Sequence, residues 1–461
     1  MKLFYLISAL CFCAVASAQE KAFTLKEAQD YAVKNSYQTK TGMLNIGIAE
    51  KNIKSYIGAG LPQISGEAKF QNHVDIPTTV IPNFIGPAVT GSLIQNGLLP
   101  PSAADQPPSP EFVEAQFGTK YNVSAGINAS QLIFSGTYFV GLQAAKTYSL
   151  AAKQGLEKTE NDIRESVAQA YHMMLVAKEN EVVLQQSKKN LEKTLFETTE
   201  LYKSGFVEEM NMEQLQLLVS NVNNGVVSAQ QQVENAIQLL KFQMGIPAEE
   251  KIALKDSLAS LIQTTADESV LSKNVDMANH IDFKLVSTQE RLMALNEKAE
   301  KTKYLPTLAG FFAHQQNALR NEFNFTDKEE KWFPATIWGI SLQVPLFSGL
   351  SRYHNVEKAK MDLEKSRIIK SQVEQGLKLQ MQTAKSDYLV ALNQFKTEKE
   401  NLSLAEKIRN KILIKYNQGM ASSLELTQAE NQYLSTQGNY IRSMYQLLNA
   451  ETKLDKLMGS K

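Results

Sequence analysis

The chain has 461 residues, with 48 basic and 48 acidic side chains, five histidines and two cysteines. Zero net charge argues against a nucleic-acid binder, which needs a surplus of Lys and Arg to displace the counterions of the phosphates. The length allows several small domains or one elongated domain. Both cysteines, Cys11 and Cys13, lie within the first eighteen residues. If that segment is removed, the rest of the chain contains no cysteine.

Residues 1–18 have the pattern of a secretory signal peptide. Lys2 gives a positive start, residues 3–15 are mostly apolar, and Ala16-Ser17-Ala18 is a small-residue cleavage site. The apolar run is too short for a membrane-spanning helix. A lipoprotein signal fits poorly, because bulky Phe12 stands where a small residue is expected before the cysteine. Removal of this segment leaves no cysteine, which excludes disulfides, thiolate nucleophiles and cysteine-bound metals.

Four short landmarks occur twice in the same order along the chain. The pairs are Leu61-Pro62 and Leu305-Pro306, Phe134-Ser135-Gly136 and Phe347-Ser348-Gly349, Tyr202-Lys203-Ser204-Gly205 and Tyr416-Asn417-Gln418-Gly419, and Met244-Gly245 and Met458-Gly459. The last two pairs have an offset of 214 residues, the second 213 and the first 244. The order indicates a duplication, in which the first copy carries about thirty extra residues between its first two landmarks.

Long helices dominate each copy. Residues 137–203 and 350–416 contain no Pro and very few Gly. Within them, side chains that are mostly apolar step by four and three residues, which forms a heptad-like seam. The seam residues are Ile163, Val167, Ala170, Met174 and Ala177 in the first copy, and Leu377, Met381, Ala384, Tyr388 and Ala391 in the second. We expect helices of about 100 Å that pack lengthwise, each followed by a shorter returning helix over 208–245 or 424–459.

Period-two segments lie between the helices, where Pro and Gly concentrate. Residues 64–71, 121–130 and 338–344 alternate apolar with polar or small side chains, and 308–313 do so less regularly. Such segments match either a half-buried strand of an ordinary sheet or a lipid-facing barrel strand. Helices of about 100 Å leave no globular core for a sheet to cover, which favours the barrel. Four strands cannot close a barrel, since about eight is the smallest common number, so the barrel has to be shared between chains.

The two strand hairpins have different connecting loops. Residues 77–110 hold eight of the thirteen prolines and predict a long irregular loop, whereas the second loop, about 315–331, is polar and charged. Apolar residues in the first loop suggest that it packs on something, although its role is not predicted. These residues are Ile81, Phe84, Ile85, Leu98 and Leu99.

These features resemble the TolC-like outer-membrane efflux and secretion channels over nearly the whole mature chain. The Leu-Pro, Phe-Ser-Gly, Tyr-x-x-Gly and Met-Gly landmarks fall in the family's doubled order. Residues 23–28, with Asn35-Ser36, are similar to the family's opening helix. His280 and Ile281 replace the Arg and Pro that the family usually has before an acid, and only Asp282 is retained.

The resemblance implies a mixed α and β membrane protein. Duplicated long α-helical hairpins would form a periplasmic coiled-coil tunnel, and four β-strands per chain would contribute to a trimeric, twelve-stranded barrel in the outer membrane of a Gram-negative-type cell. This homotrimer would be a passive duct in outer-membrane lipid. It would take small molecules or polypeptides from an inner-membrane RND or ABC pump through a periplasmic adaptor, for drug efflux or type I secretion. No enzyme activity, cofactor, metal or nucleic acid is implied.

The expected segments follow from the landmarks and the resemblance. They are a signal peptide (1–18), an N-terminal helix of the tunnel and equatorial region (19–61), a first barrel hairpin with its Pro-rich loop (62–134), a first long helical hairpin (135–245), an inter-repeat equatorial segment (246–274), a tunnel helix of the second repeat (275–304), a second barrel hairpin (305–347) and a second long helical hairpin with the C-terminus (348–461).

The two Tyr-x-x-Gly turns are implied to form the periplasmic tip. Their polar residues are candidates for adaptor contact, although polar residues are usual at any helical turn. The candidates are Lys203, Ser204 and Gly205 in the first turn, and Asn417, Gln418 and Gly419 in the second.

Acidic residues beyond the turns are candidates for a gate or selectivity site. Family members with an acidic constriction place two Asp three residues apart after the second turn, and these positions are Glu425 and Gln428 here. Three copies of Glu425 would form a carboxylate ring that favours cations. Alternatively, Glu425 is a solvated first-turn acid stabilised by the helix dipole. Glu208 and Glu209 are the corresponding candidates after the first turn.

Enzyme signatures are missing from the sequence. The histidines are scattered, and there is no H-E-x-x-H, G-x-S-x-G or phosphate-binding loop. Paired acids alternate with Lys at helical spacing, which is typical of a solvated helix face. The rival interpretation is a soluble periplasmic coiled-coil scaffold without a pore, in which the alternating segments form a small capping sheet. A periplasmic hydrolase would need a nucleophile constellation that the sequence does not contain.

Overall fold

The computed structural model describes residues 21–106, 110–265 and 277–459. The predicted signal peptide, with both cysteines, lies outside the described residues, as does part of the predicted 246–274 segment. Two units are distinguished by their internal contacts. The helical unit comprises the described residues within Met1–Asn52, Ala144–Asn296 and Lys358–Lys461, and the sheet unit comprises those within Ile53–Gln143 and Glu297–Glu357.

Two very long helices and two shorter ones follow the duplicated pattern. In chain order the helices of the described residues are α1 (Leu25–Asn35), α2 (Tyr37–Ala59), α3 (Ile85–Gln95), α4 (Gly136–Lys203), α5 (Glu209–Met244), α6 (Leu258–Thr265), α7 (Ile281–Thr302), α8 (Ser351–Asn417) and α9 (Ser423–Met458). The predicted long helices, α4 and α8, and the returning helices, α5 and α9, are confirmed to within two residues at each end. None of the helices in the described ranges is both long and apolar enough to cross a membrane.

The heptad-like seam forms the core of the helical unit. All ten predicted seam residues are buried, and the most exposed of them, Met381, retains 8% of its accessible surface. Tyr388 is fully buried, and its hydroxyl donates to the Thr265 carbonyl at 2.6 Å. Buried Tyr171 places its hydroxyl 2.8 Å from Asp256 Oδ2. Both phenols satisfy their hydrogen-bonding groups while burying a large apolar ring, as stable cores require.

Four antiparallel strands form the main sheet of the sheet unit. The strands of the described residues are β1 (Lys21–Phe23), β2 (Gln63–Asn72), β3 (Thr78–Pro82), β4 (Phe112–Gln116), β5 (Tyr121–Phe134), β6 (Ile252–Leu254), β7 (Thr307–Arg320) and β8 (Phe333–Gln343). The order in the main sheet is β2-β5-β7-β8, while β3 pairs with β4, and β1 pairs with β6 in parallel. Within the described part of the chain, the edge strands β2 and β8 therefore pair on one side only.

The register of the main sheet separates an apolar face from a polar face. Facing partners share a face of a sheet, and alternate residues along a strand lie on opposite faces. The apolar face carries Ile64, Ala68 and Phe70 of β2, Val123 and Ile127 of β5, Leu308 and Phe312 of β7, and Trp338, Ile340 and Leu342 of β8. The polar face carries Ser65, Glu67, Lys69, Ser124, Asn128, Gln315, Asn317 and Ser341. The predicted alternation is confirmed for β2 and for β5 up to Ser130. It is less regular on β7 and β8, where Phe311, Leu319, Phe333 and Ile337 share the polar face and His314, Gln316 and Thr336 share the apolar face.

The long loop of the first strand hairpin contains regular structure, so the prediction of an irregular loop is wrong. Strands β3 and β4 form a two-stranded ribbon, and α3 follows β3. Five of the described prolines in this segment lie at or next to element ends, namely Pro77, Pro82, Pro87, Pro100 and Pro101. Pro82 is the last residue of β3, and Pro87 lies in the first turn of α3, where backbone N–H groups have no partner within the helix. Proline therefore sets the boundaries of these elements without interrupting them.

Candidate functional site at the hairpin turns

The first helical turn joins α4 to α5 and contains three of the predicted contact residues. Gly205 has a left-handed backbone with φ of 77°. Its N–H donates to the Tyr202 carbonyl at 2.9 Å, and the Phe206 N–H donates to the carbonyl five residues earlier at 2.9 Å. These two bonds close the end of α4 in a Schellman arrangement, which favours glycine at the left-handed position. Lys203 and Ser204 are exposed beside it.

The second turn joins α8 to α9 with the same backbone geometry. Gly419 has φ of 71°, and its N–H donates to the Tyr416 carbonyl at 2.9 Å. The Met420 N–H donates to the carbonyl five residues earlier at 2.8 Å. Asn417 and Gln418 are exposed, like their counterparts in the first turn. The duplication has therefore preserved the backbone of the turn while its polar side chains differ.

Glu425 belongs to a capping box at the start of α9. The Ser422 hydroxyl accepts from the Glu425 N–H at 3.2 Å, and Glu425 Oε2 accepts from the Ser422 N–H at 2.8 Å. These hydrogen bonds satisfy two donors that a helix N-terminus leaves free. The bond from the Ser422 backbone, followed by that from its hydroxyl, lowers the pKa of Glu425 below its ordinary value. In the single chain, Glu425 is a charged capping residue.

The other candidate gate residues are Gln428, Glu208 and Glu209, and none of them forms a capping box. Gln428 is exposed one turn after Glu425. Glu208 is the N-cap residue of α5, but its side chain makes no cap hydrogen bond, and Glu209 lies exposed in the first turn of that helix. The first hairpin thus presents two adjacent carboxylates where the second presents one.

Two sets of buried polar contacts bring the turns together. The Thr198 hydroxyl of α4 lies 2.8 Å from the Tyr416 hydroxyl of α8. The Ser423 hydroxyl of α9 lies 2.6 Å from Asn211 Oδ1 and 2.7 Å from Gln214 Oε1, both on α5. A hydroxyl has one proton to donate, so one of the two amides can turn its nitrogen toward Ser423. These contacts join the two hairpins next to the predicted contact residues.

A buried ion pair in the second hairpin is a feature that sequence reasoning missed. Arg409 Nε donates to Glu430 Oε1 at 2.8 Å, with 13% and 3% of the two side chains exposed. The Arg409 guanidinium also lies 4.9 Å from the centre of the Tyr433 ring. Burial raises the pKa of Glu430, whereas Arg409 opposes that shift. The sequence did contain a cue that this acid is buried, because Glu430 follows Ala429 on the buried side of α9. It contained no cue to the partner of the acid.

Glu67 and Lys69 lie on the polar face of the main sheet. Their register partners on β5 are Gly126 and Ser124. Opposite charges two residues apart on one strand leave this face without net charge at that point. Because alternate residues of a strand share a face, both side chains lie on the same side of the sheet.

A cavity lies among the helices of the helical unit. Its volume is about 740 Å³, and its polar lining includes Arg164, His172, His280, Glu451 and Lys456. Two of its cations are paired: Lys456 Nζ contacts two carboxylates at 2.5 and 2.7 Å, and Arg164 contacts Asp30 Oδ1 at 2.8 Å. Buried His172 bonds the Asn449 side chain at 3.1 Å, and burial lowers its pKa to about 4. Across the described residues, no group of three or more metal-ligating side chains is placed to hold an ion.

Comparison with known proteins identifies the family. The family described as "Outer membrane efflux protein" matches residues 108–245 and 278–460 of this chain. The outer membrane protein TolC of Vibrio cholerae serotype O1 is 23% identical over 229 residues, which represent 49% of this chain and 51% of that protein. The chain thus spans about half the length of this curated relative.

Solved structures share the fold at low sequence identity. CusC, whose structures concern transmembrane channel formation, has a TM-score of 0.72 at 14% identity, over 95% of this chain and 92% of CusC. The outer membrane channel CmeC of Campylobacter jejuni has a TM-score of 0.67 at 16% identity, over 94% of this chain and 85% of CmeC. The predicted mixed α and β fold is confirmed. The chain belongs to the outer membrane efflux protein family, a family of transport channels and not of enzymes.

Proposed function

We propose that three copies of this chain form a passive duct through the outer membrane of a Gram-negative-type cell. The observation that carries this proposal is the main sheet of the described residues, which has a mainly apolar face, a mainly polar face and two edge strands that pair on one side only. Such a sheet is unstable in water on its own, because apolar faces and free edges promote association. If β8 of each copy pairs with β2 of the next, twelve strands close into a barrel with lipid outside and polar residues inside.

The duct would act with an inner-membrane pump of the RND or ABC class through a periplasmic adaptor. The duplicated turns support this partnership, because they expose polar residues on two hairpins that buried contacts hold together. A cysteine at Asn417 in the otherwise cysteine-free mature chain would cross-link to the adaptor in cells. A cysteine at exposed Glu364, near the start of α8 and far along the helix from the turn, is the control. Equal cross-linking at both positions would contradict contact at the turns.

Export would remove residues 1–18 and place the protein between the periplasm and the outside. The expected mature N-terminus is Gln19, which N-terminal sequencing of the protein from outer membranes would detect. An intact Met1 in that fraction would contradict cleavage.

Conductance is the test that separates a duct from a scaffold. Purified mature protein should produce discrete current steps in planar lipid bilayers, because a polar lumen conducts ions. The periplasmic scaffold would bind bilayers weakly or not at all and would produce no steps.

We also propose that Glu425 forms the selectivity ring of the duct. Its low pKa keeps the carboxylate charged, and three-fold symmetry would bring three such charges together. Glu425→Gln should weaken block by trivalent cations, since it removes the charge while glutamine can still complete the capping box. Glu208→Gln makes the same change in the first hairpin and is the matched control. If Glu208→Gln weakens the block more than Glu425→Gln does, the selectivity ring belongs to the first hairpin and not to the second.

A further inference from the structure

The loop of residues 321–332, which joins β7 to β8, is tied to the end of the main sheet at both of its own ends. Arg320, the last residue of β7, is 6% exposed, and its guanidinium donates to the Lys331 carbonyl at 2.8 Å. At the start of the loop, the backbone N–H of Lys120, directly before β5, donates to Asn321 Oδ1 at 3.3 Å. These contacts hold the β7–β8 loop against the sheet.

Two phenylalanines of the β7–β8 loop complete a cluster of four aromatic rings. The centre of the Phe323 ring lies 6.0 Å from that of Phe70 and 5.9 Å from that of Tyr121, both edge to face. The Phe325 ring lies 6.3 Å from Phe70 and 5.4 Å from Phe323, again edge to face. Aromatic rings attract one another in this geometry. The loop therefore leans back from β7 across β5 as far as β2.

The register places this aromatic cluster on the apolar face of the main sheet. Phe70 of β2 faces Val123 of β5, and Tyr121 lies two residues before Val123 on the same strand. Because alternate residues of a strand share a face, both rings lie on the side of the sheet that carries Val123. The loop packs on that side and not on the side that carries Asn128.

The β7–β8 loop changes from apolar to charged along its length. Phe323 is 73% exposed, so the described part of the chain leaves most of its ring uncovered. Beyond the rings, residues 327–331 are all ionisable and all exposed. The loop thus continues the apolar face of the sheet to its end and then presents charge.

Lipid is the occupant that this arrangement fits. Copies that close a ring pair through their edge strands β2 and β8, so they cover the edges of the sheet and leave its apolar face open. On membrane barrels, aromatic residues concentrate at the two boundaries between hydrocarbon and water. Charged side chains are costly inside hydrocarbon. An apolar face that ends in exposed rings and is followed by charges has the same order as acyl chains, boundary and water.

We infer that the β7–β8 loop lies on the outer side of the barrel and rests on the lipid surface, with Phe323 at the boundary between acyl chains and headgroups. The inference rests on the proposed barrel, which places the apolar face of the sheet in lipid. Its partner is the lipid of the surrounding membrane. Since the loop leans away from the polar face, it does not cover the lumen.

Lipid quenching of a fluorophore tests this position. Single cysteines in the mature chain are labelled with a small thiol-reactive dye, and the protein is reconstituted in vesicles that contain phosphatidylcholine with brominated acyl chains. The dye at Phe323→Cys should be quenched several-fold more strongly than the dye at Asp327→Cys in the charged part of the loop. Equal quenching at the two positions would overturn the inference. A dye at position 323 that neither brominated lipid nor aqueous iodide quenches would be covered by protein, which would also overturn it.

A matched pair on β5 separates failure of this inference from failure of the proposed barrel. Ile127 and Asn128 are neighbours on opposite faces, and both are exposed in the single chain. Brominated lipid should quench a dye at Ile127→Cys and not a dye at Asn128→Cys. If this pair behaves as expected while position 323 is not quenched, the loop inference fails and the barrel stands. If lipid quenches neither Ile127→Cys nor Phe323→Cys, both fail.

Channel current gives a second test that leaves the four rings intact. Thr326→Cys lies next to the aromatic cluster, and a bulky, charged thiol reagent attached there should leave the current in planar bilayers unchanged. The same reagent at Asn128→Cys, on the polar face, should reduce the current because it enters the lumen. A comparable reduction at both positions would place the loop over the lumen and would overturn the inference.

Discussion

The two helical turns have the same backbone but different chemistry. Gly205 and Gly419 adopt the same left-handed conformation and close their helices with the same pair of hydrogen bonds. The second hairpin adds the capping box of Ser422 and Glu425 and the buried pair of Arg409 and Glu430. Backbone geometry is therefore common to both copies of the duplication, whereas the capping carboxylate and the buried ion pair are found in the second.

The positions that correspond to the ion pair show how the copies diverged. At an offset of 214 residues, Arg409 corresponds to Leu195 and Glu430 to Gln216. Leu195 is partly buried and Gln216 is exposed, so the first hairpin packs without a buried charge at this level. A buried ion pair adds little net stability, because desolvation of the two charges offsets their attraction, whereas loss of one partner leaves the other charge buried and unpaired.

The largest expected effect comes from breaking that pair. Arg409→Ala leaves Glu430 buried without its cation and should lower the free energy of unfolding by about 3–5 kcal/mol. The double variant Arg409→Met with Glu430→Met should recover most of the loss, since an apolar pair removes the unpaired charge. Urea unfolding of the detergent-solubilised protein measures both. A double variant as unstable as the single one would contradict the assignment.

Alanine at the turn glycines tests what the two hairpins share. A Cβ at either position meets no atom within 4 Å, so alanine adds no clash there. The cost of the substitution is the backbone strain of a side chain at positive φ. Gly205→Ala and Gly419→Ala should each lower the free energy of unfolding by about 1–2 kcal/mol. Gly155→Ala, inside α4 with equally open surroundings, should instead be neutral or stabilising. Clearly unequal losses at the two turns would mean that the backbones are not equivalent.

Removal of the cap tests what distinguishes the second hairpin. Ser422→Ala should destabilise α9 by about 1 kcal/mol, because the hydroxyl accepts the Glu425 N–H. Glu208→Ala at the matching end of α5 should change the free energy of unfolding little, since its side chain makes no cap bond. Thermal unfolding in detergent compares the two variants. Equal losses would contradict a cap confined to the second hairpin.

The smallest expected effect concerns pH. The folded chain lowers the pKa of Glu425, so its carboxylate stays charged until the pH falls below the ordinary glutamate value of about 4.3. Any stability linked to this group is present above that value and is lost as the pH falls through the lowered pKa. Trivalent-cation block should therefore be the same at pH 7 and at about pH 5. Relief of block already at about pH 5 would contradict a ring in which each Glu425 keeps the lowered pKa of the single chain.

Much of the fold could be predicted from local pattern. The seam of Ile163 and Val167 in α4 repeats in α8, and helical periodicity over such long segments is a strong signal. The alternation of apolar and polar residues predicted which residues of β2 and β5 share a face, because successive side chains of a strand lie on opposite faces. The ribbon and α3 were missed because prolines at element ends resemble prolines in an irregular loop until the pairing of β3 with β4 is known.

The candidate site could be predicted in part. Gly205 and Gly419 were recognised because a helix that reverses needs a residue tolerant of positive φ. The place of Glu425 in the first turn of α9 was foreseen as an alternative to the gate, but its capping box with Ser422 was not. The pairing of Arg409 with Glu430 depends on which faces of α8 and α9 meet, and sequence spacing within one helix does not specify that. Tertiary packing supplies this information.

Native mass in detergent tests the central claim most directly. The mature protein, extracted from the outer-membrane fraction and weighed by native mass spectrometry, should require detergent and contain three chains. That result is predicted by an open sheet whose edges and apolar face are completed by its neighbours. A detergent-independent species of one or two chains would contradict the shared barrel and would favour the periplasmic scaffold.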